Sequence, residues 1–244
     1  MFDLRPGLAR PADLTDRIRE FVSALRDHAH SMGMWLWAAY GSSLVLCSVL
    51  VAARVHGGIG IGEWTRDPLA AAAFRWRHAA PGTTPDLPAY LGAVSQIGVV
   101  LWSIAFAASV LAAMVMAKRK RERLGGGSDA QFFGHAAWVT LICVLDDALM
   151  LHDDVLPRYL GVTEVWVHLV IAAGFLSYLW RWRQRIARTE FLPLFVAVLG
   201  FSMSVGIDVI IAPSSGAFAL VDGAKFIGIV SWCTYQLRVA WRAL

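Results

Sequence analysis

Long apolar runs separated by short charged stretches set the pattern of this chain. A helix needs ~20 predominantly apolar residues to cross a bilayer. Runs of that size predict spans at about 34–54, 88–116, 131–152, 165–181, 191–211 and 217–239. The segment ahead of them, "LTDRIREFVSALRDHAHSM", is patterned differently. Leu14, Ile18, Phe21, Val22 and Leu25 recur at helical spacing among charges, which predicts an amphipathic helix lying on a membrane surface. Ser128 and Asp129 are placed to cap the third span and Thr189 the fifth, and Pro157 reads as the end of the third. The expected fold is an all-α polytopic membrane helix bundle. Six transmembrane helices fill residues 34–244, after an amphipathic segment at 1–33. The long first loop, residues 55–87, is expected to form a lid, with His56, Glu63 and Asp67 contributing.

Composition agrees with this pattern. Hydrophobic residues make up 57% and charged residues 16%, where soluble domains run nearer ~25% charged. The three cysteines all sit in apolar segments and suggest neither a disulfide framework nor a zinc knuckle. Most of the eleven tryptophans fall at span ends, as an interfacial belt does.

Charge then orients the bundle. Five arginines precede the first span, five Lys and Arg join spans two and three in "KRKRER", four join spans four and five, and the C-terminal end adds Arg238 and Arg242. The alternate loops hold four, one and none. This bias predicts both termini in the cytoplasm of a bacterial cytoplasmic membrane. It also assigns the basic surplus to membrane topology and excludes nucleic acid as the partner.

Candidate chemistry centres on "CVLDDALMLHDDVLP", residues 143–157. With the spans oriented, Asp146 and Asp147 lie in the outer third of span three, and His152, Asp153 and Asp154 at its mouth. Glu164 and His168 open span four, Asp208 lies near the end of span five, and Asp222 and Lys225 occupy the outer half of span six. At 1.5 Å per residue, Asp146, Asp147, Asp208, Asp222 and Lys225 share one layer roughly 5–13 Å below the outer surface. Ser95 and Gln96 reach the same depth. An ionisable group at the bilayer centre costs ~2.5–3.5 kcal/mol, so such groups face the bundle and one another. One polar cavity is expected, open to the outside and closed toward the cytoplasm. Ideal helix geometry aims Asp153 with Asp146 and Asp154 with Asp147, and turns His152 about 120° away from Asp146.

Four aspartates against one lysine leave about three negative charges, which a low-dielectric site holds only with protons or a cation. A divalent ion (Zn, Mn, Fe or Mg) on ligands drawn from Asp146, Asp147, His152, His168, Asp208 and Asp222 fits the donor types. Asp146, Asp147, Asp222 and Lys225 are the expected catalytic groups, with Lys225 binding an anionic headgroup or a developing oxyanion. The expected function is a metal-dependent hydrolase or headgroup transferase, its lipid substrate entering from the outer leaflet. Proton- or cation-coupled transport is the alternative, although the cytoplasmic halves offer almost no polar path beyond His135 and no inverted repeat is visible. A non-catalytic assembly or sensor protein is the third class.

Bland readings stand beside these. Asp222 and Lys225 at i, i+3 can pair structurally, His168 can be a packing residue, and His152, Asp153 and Asp154 can be a solvated helix end. "LVDGAKFIG" looks like the retinal-binding span of microbial rhodopsins over about ten residues, but with D-x-x-K in place of D-x-x-x-K. The plan of acids and histidines is similar to ceramidase-like membrane hydrolases, whose paired HxxxH and seventh span have no counterpart. No family follows from either.

Overall fold

The computed structural model describes residues 14–57, 60–80, 82–122, 127–210 and 215–244, apart from some side chains within them. Every regular element among the described residues is helical. In order they are α1 (Leu14–Ser31), α2 (Gly33–Leu36), a π turn (Trp37–Gly41), α3 (Ser42–Gly57), α4 (Ile61–Thr65), α5 (Pro68–His78), α6 (Ala93–Glu122) and α7 (Gly127–Leu149). A second π turn (Leu151–Val155), α8 (Leu156–Leu160), α9 (Glu164–Ile186), α10 (Leu192–Ile210) and α11 (Ser215–Ala243) follow.

Among the described residues, four stretches are long and apolar enough to cross a membrane: Gly33–His56, Ala93–Arg119, Ser128–Leu149 and Glu164–Ile186. The chain is therefore an all-helical protein of membrane type. Helices also occupy the ranges of the fifth and sixth expected spans, as α10 and α11, with α10 apolar over the shorter run Leu192–Asp208. Large apolar side chains such as Leu44, Trp138, Trp166, Leu176 and Trp180 are exposed, the arrangement expected where lipid rather than water is the solvent.

The core is built by α6, α7, α9, α10 and α11. Trp232, Tyr178, Tyr235, Phe132 and Phe133 are fully buried in it. α10 and α11 approach each other closely at Gly200. A Cβ added at Gly200 would lie 2.8 Å from the Ala224 carbonyl oxygen, so only glycine lets the two backbones meet there.

One end of the bundle is capped by α4 and α5. The Gly92 N–H donates to the Glu63 carbonyl (2.8 Å), and Gly92 takes φ +70°, where a Cβ would strike Pro68 at 2.6 Å. Glycine at this joint lets the cap close onto the start of α6. Trp64 stacks on Tyr90 at 4.5 Å, and Arg75 holds Glu63 at 2.6 Å. Residues 61–78 of the expected loop thus fold as a compact helical cap.

At the opposite end Glu190 is buried, its carboxylate taking Arg238 (Nε to Oε2, 2.5 Å), Arg242 and the Ser31 hydroxyl (2.6 Å). Burial pushes its pKa up, but the Ser31 hydrogen bond and the two guanidiniums pull harder, so the carboxyl sits below its usual value. This clamp joins α1 and α11 to the link just before α10, and Glu190 is not singled out in the sequence.

Three local expectations are corrected. α7 ends at Leu149 because Met150 adopts a left-handed conformation (φ 49°, ψ 47°), so the third helix stops well before Pro157. That proline instead opens α8, where its missing N–H costs nothing. Thr189 does not open α10; its hydroxyl donates to the Ile186 carbonyl (2.8 Å) and so closes α9. Ser128 and Asp129 lie inside the first turn of α7 rather than before it, and Asp129 pairs with Arg185.

Candidate functional site

Consecutive helical residues diverge by ~100°, and at Asp146 and Asp147 this sends two carboxylates into two compartments at the α4–α5 end. Asp147 faces α6 and α11. Its Oδ1 meets Lys225 Nζ at 2.9 Å, and its Oδ2 accepts from Trp102 Nε1 at 2.9 Å. Around this pair lies a small cavity of about 50 Å³, lined by Thr65, Asp67, Ser95, Asp147, Asp222 and Lys225 among others. The Thr65 hydroxyl donates to Asp222 (2.6 Å) and the Ser95 hydroxyl to Asp67 (2.5 Å). The cap therefore supplies two walls of the cavity, Thr65 and Asp67.

Asp146 faces the other way, toward the reversed chain after Met150. The His152 backbone N–H donates to Asp146 Oδ1 (3.1 Å), and His152 Nδ1 lies 2.8 Å from Oδ2. The expected 120° separation of the two is corrected by the left-handed Met150, which folds His152 back over its own helix. Across from it the His168 ring stands 5.1 Å away, centroid to centroid, and His168 Nδ1 is 3.9 Å from Glu164 Oε1. One ligand atom from each of His152, Glu164 and His168 lies within 4.8 Å of the others, and the same holds for Asp146, Asp147 and His152. His152, buried, belongs to both sets.

Asp146, Asp147, His152 and His168 thus converge, and Asp222 and Lys225 adjoin them through Asp147. Asp208 does not join them. It is exposed, one turn beyond Ser204, a buried position on α10. Asp154 is a partly exposed partner of Arg158 at 3.8 Å, and the side chain of Asp153 lies outside the described residues. Sequence reasoning left Thr65 and Trp102 unremarked and treated Glu164 as a rim residue. The signal for Trp102 is an indole inside a span rather than at its end.

Below both compartments lies an aromatic floor. Trp102 stacks on Phe201 (5.7 Å) and Phe175 meets Trp232 edge-on (4.9 Å). Beneath it the expected scarcity of polar groups is corrected. Trp232 Nε1 donates to Thr140 (3.0 Å), Ser109 to Gln236 (3.3 Å), and Tyr235 pairs with Thr189 (3.2 Å). Hydroxyl and amide groups at these positions escape a scan for charges. His135 is held by Ser177 (3.1 Å) and Trp182 (3.2 Å) near that same end.

No curated protein and no solved structure matches the chain. A family described as a domain of unknown function (DUF8692) matches residues 43–239, a range that contains every residue of both compartments, and the chain belongs to that family.

Proposed function

We propose that this chain is a six-span protein of a bacterial cytoplasmic membrane, with both termini and the α1 surface helix on the cytoplasmic side. Its site opens outward, where a divalent metal ion supports hydrolysis or headgroup transfer on a lipid drawn from the outer leaflet. The charge bias of the loops supports the orientation. One observation carries the chemistry: His152, His168 and Glu164 bring ligand atoms within 4.8 Å of one another, and Asp146 Oδ2 lies 2.8 Å from His152 Nδ1.

A carboxylate on Nδ1 fixes the tautomer and leaves the Nε2 lone pair for a metal, the usual outer support of a metal-bound histidine. Two imidazoles and a carboxylate suit Zn, Mn or Fe better than Mg. Such an ion lowers the pKa of bound water to about 7 and polarises an ester or phosphoryl oxygen. Asp147, within 4.8 Å of His152 and Asp146, stands between this centre and the Lys225 cavity, where a positioned carboxylate can accept a proton. Asp222 acts from the cavity's far wall. The aromatic floor supports a site closed on one side, which favours catalysis over a transport path.

The test is the metal content of purified protein. One ion per chain is expected, lost in His152→Ala/His168→Ala and kept in Asp222→Asn, with lipid turnover following the metal. An unchanged content in the double variant ends the reading, and metal-free, proton-driven flux in liposomes would turn it toward transport.

A further inference from the structure

At the Glu190 end of the bundle the arginines divide into two kinds. Arg119 donates to the carbonyls of Ala243 (2.9 Å) and Leu244 (2.6 Å), and Arg183 to the carbonyl of Trp180 (3.1 Å). Arg185 donates to Asp129, and Arg238 and Arg242 to Glu190. These side chains are spent on the fold. Among the described residues, the exposed side chains of Arg181 on α9 and of Arg188 just past it donate to no protein oxygen.

Arg181 is nonetheless held. Its guanidinium lies 5.3 Å over the Trp182 ring, and that ring is fixed in turn. Trp182 Nε1 donates to His135 Nδ1 (3.2 Å), and His135 Nε2 stands 3.1 Å from the Ser177 hydroxyl oxygen. The Ser177 hydroxyl donates to the Gly174 carbonyl (2.8 Å). One tautomer, with the proton on Nε2, satisfies all three bonds. Phe132 meets the indole edge-on at 5.6 Å. A rigid indole is a platform for a cation, and no carboxylate among the described residues answers the cation placed there.

The dipole of α9 does not account for it. Arg183 and Arg185 already supply positive charge in the last turn of that helix, whereas Arg181 lies roughly 7 Å short of its end at Ile186. A guanidinium at the margin of a span reaches for the headgroup layer, and its planar fork matches two oxygens of a phosphate. The turn continues to Arg188, whose N–H donates to the Arg185 carbonyl (2.9 Å). At ~100° per residue Arg188 points within about 20° of Arg181, while Arg183 points about 160° away. Two cations without a protein acceptor therefore share one side. On α7, one turn deeper than His135, the exposed Trp138 offers apolar surface to an acyl chain.

We propose that Arg181 and Arg188 bind the phosphate of an anionic phospholipid, one lipid per chain, on the side of α9 next to α7 at the Glu190 end. This rests on the membrane character of the chain and not on the metal centre. The test is native mass spectrometry of the full chain in micelles holding phosphatidylglycerol and phosphatidylcholine with identical acyl chains, with and without excess inorganic phosphate. One phosphatidylglycerol per chain is expected, preferred at least tenfold over phosphatidylcholine and not displaced by inorganic phosphate. Arg181→Gln and Arg188→Gln each narrow the preference and together abolish it. Arg183→Gln, an equal loss of charge on another face of the same helix, leaves it intact. All three replace exposed side chains, and a thermal midpoint without added lipid checks that each folds. Equal retention of the two lipids overturns the proposal. So do equal losses in Arg181→Gln and Arg183→Gln, which would mean diffuse attraction, and displacement by inorganic phosphate, which would mean that no lipid is required.

Discussion

Replacing Lys225 with methionine probes the centre of the acidic cavity. The substitution keeps length and packing but strips Asp147 of its cation at 2.9 Å, leaving only the Trp102 N–H on that carboxylate. Asp147 is 9% exposed, so water compensates it poorly. Removing one partner of a buried ion pair costs ~3–5 kcal/mol. Lys225 is itself 34% exposed, where the pair is screened toward the weaker ~0–1 kcal/mol of surface bridges. A loss of about 2–3 kcal/mol lies between these limits. The partner change, Asp147→Asn, relieves the orphaned charge, so Lys225→Met/Asp147→Asn should recover roughly 1–2 kcal/mol relative to the sum of the single variants. Unfolding in mixed detergent micelles, followed by tryptophan fluorescence, measures all four corners of the cycle. Additive effects would show that the contact carries no coupling, and the charge accounting of the cavity would fall with it.

Two further outcomes concern the framework. Glu190 has a depressed pKa, so its clamp contributes fully above the usual value of 4.5 and is lost as pH falls through the lower folded value. The stability gap between wild type and Glu190→Gln should therefore be constant near neutrality and shrink below about pH 4.5; a gap that widens in acid contradicts the assigned sign. Gly200→Ala places a Cβ 2.8 Å from the Ala224 carbonyl oxygen, and overpacking of this kind costs about 1–3 kcal/mol. A thermal midpoint equal to wild type would mean that the helices do not cross there.

Much of the helical layout was legible because apolar run length reports directly on the solvent around a helix. What the runs could not carry was the path of the chain between them. The expectation that Asp153 aims with Asp146, Asp154 with Asp147 and His152 away from both extends α7 as an ideal helix to residue 154. The left-handed Met150 breaks that projection, and nothing in "LMLHD" signals it, since methionine is neither glycine nor asparagine. Once the helix stops, His152 folds back onto Asp146 instead of pointing away. Two neighbouring acids then acquire opposite duties: Asp146 orients an imidazole, while Asp147 neutralises a lysine from another helix. Asp208 lies at the expected depth, but its side chain is exposed. A functional site in a bundle is therefore set less by the depth of its residues than by where each helix ends.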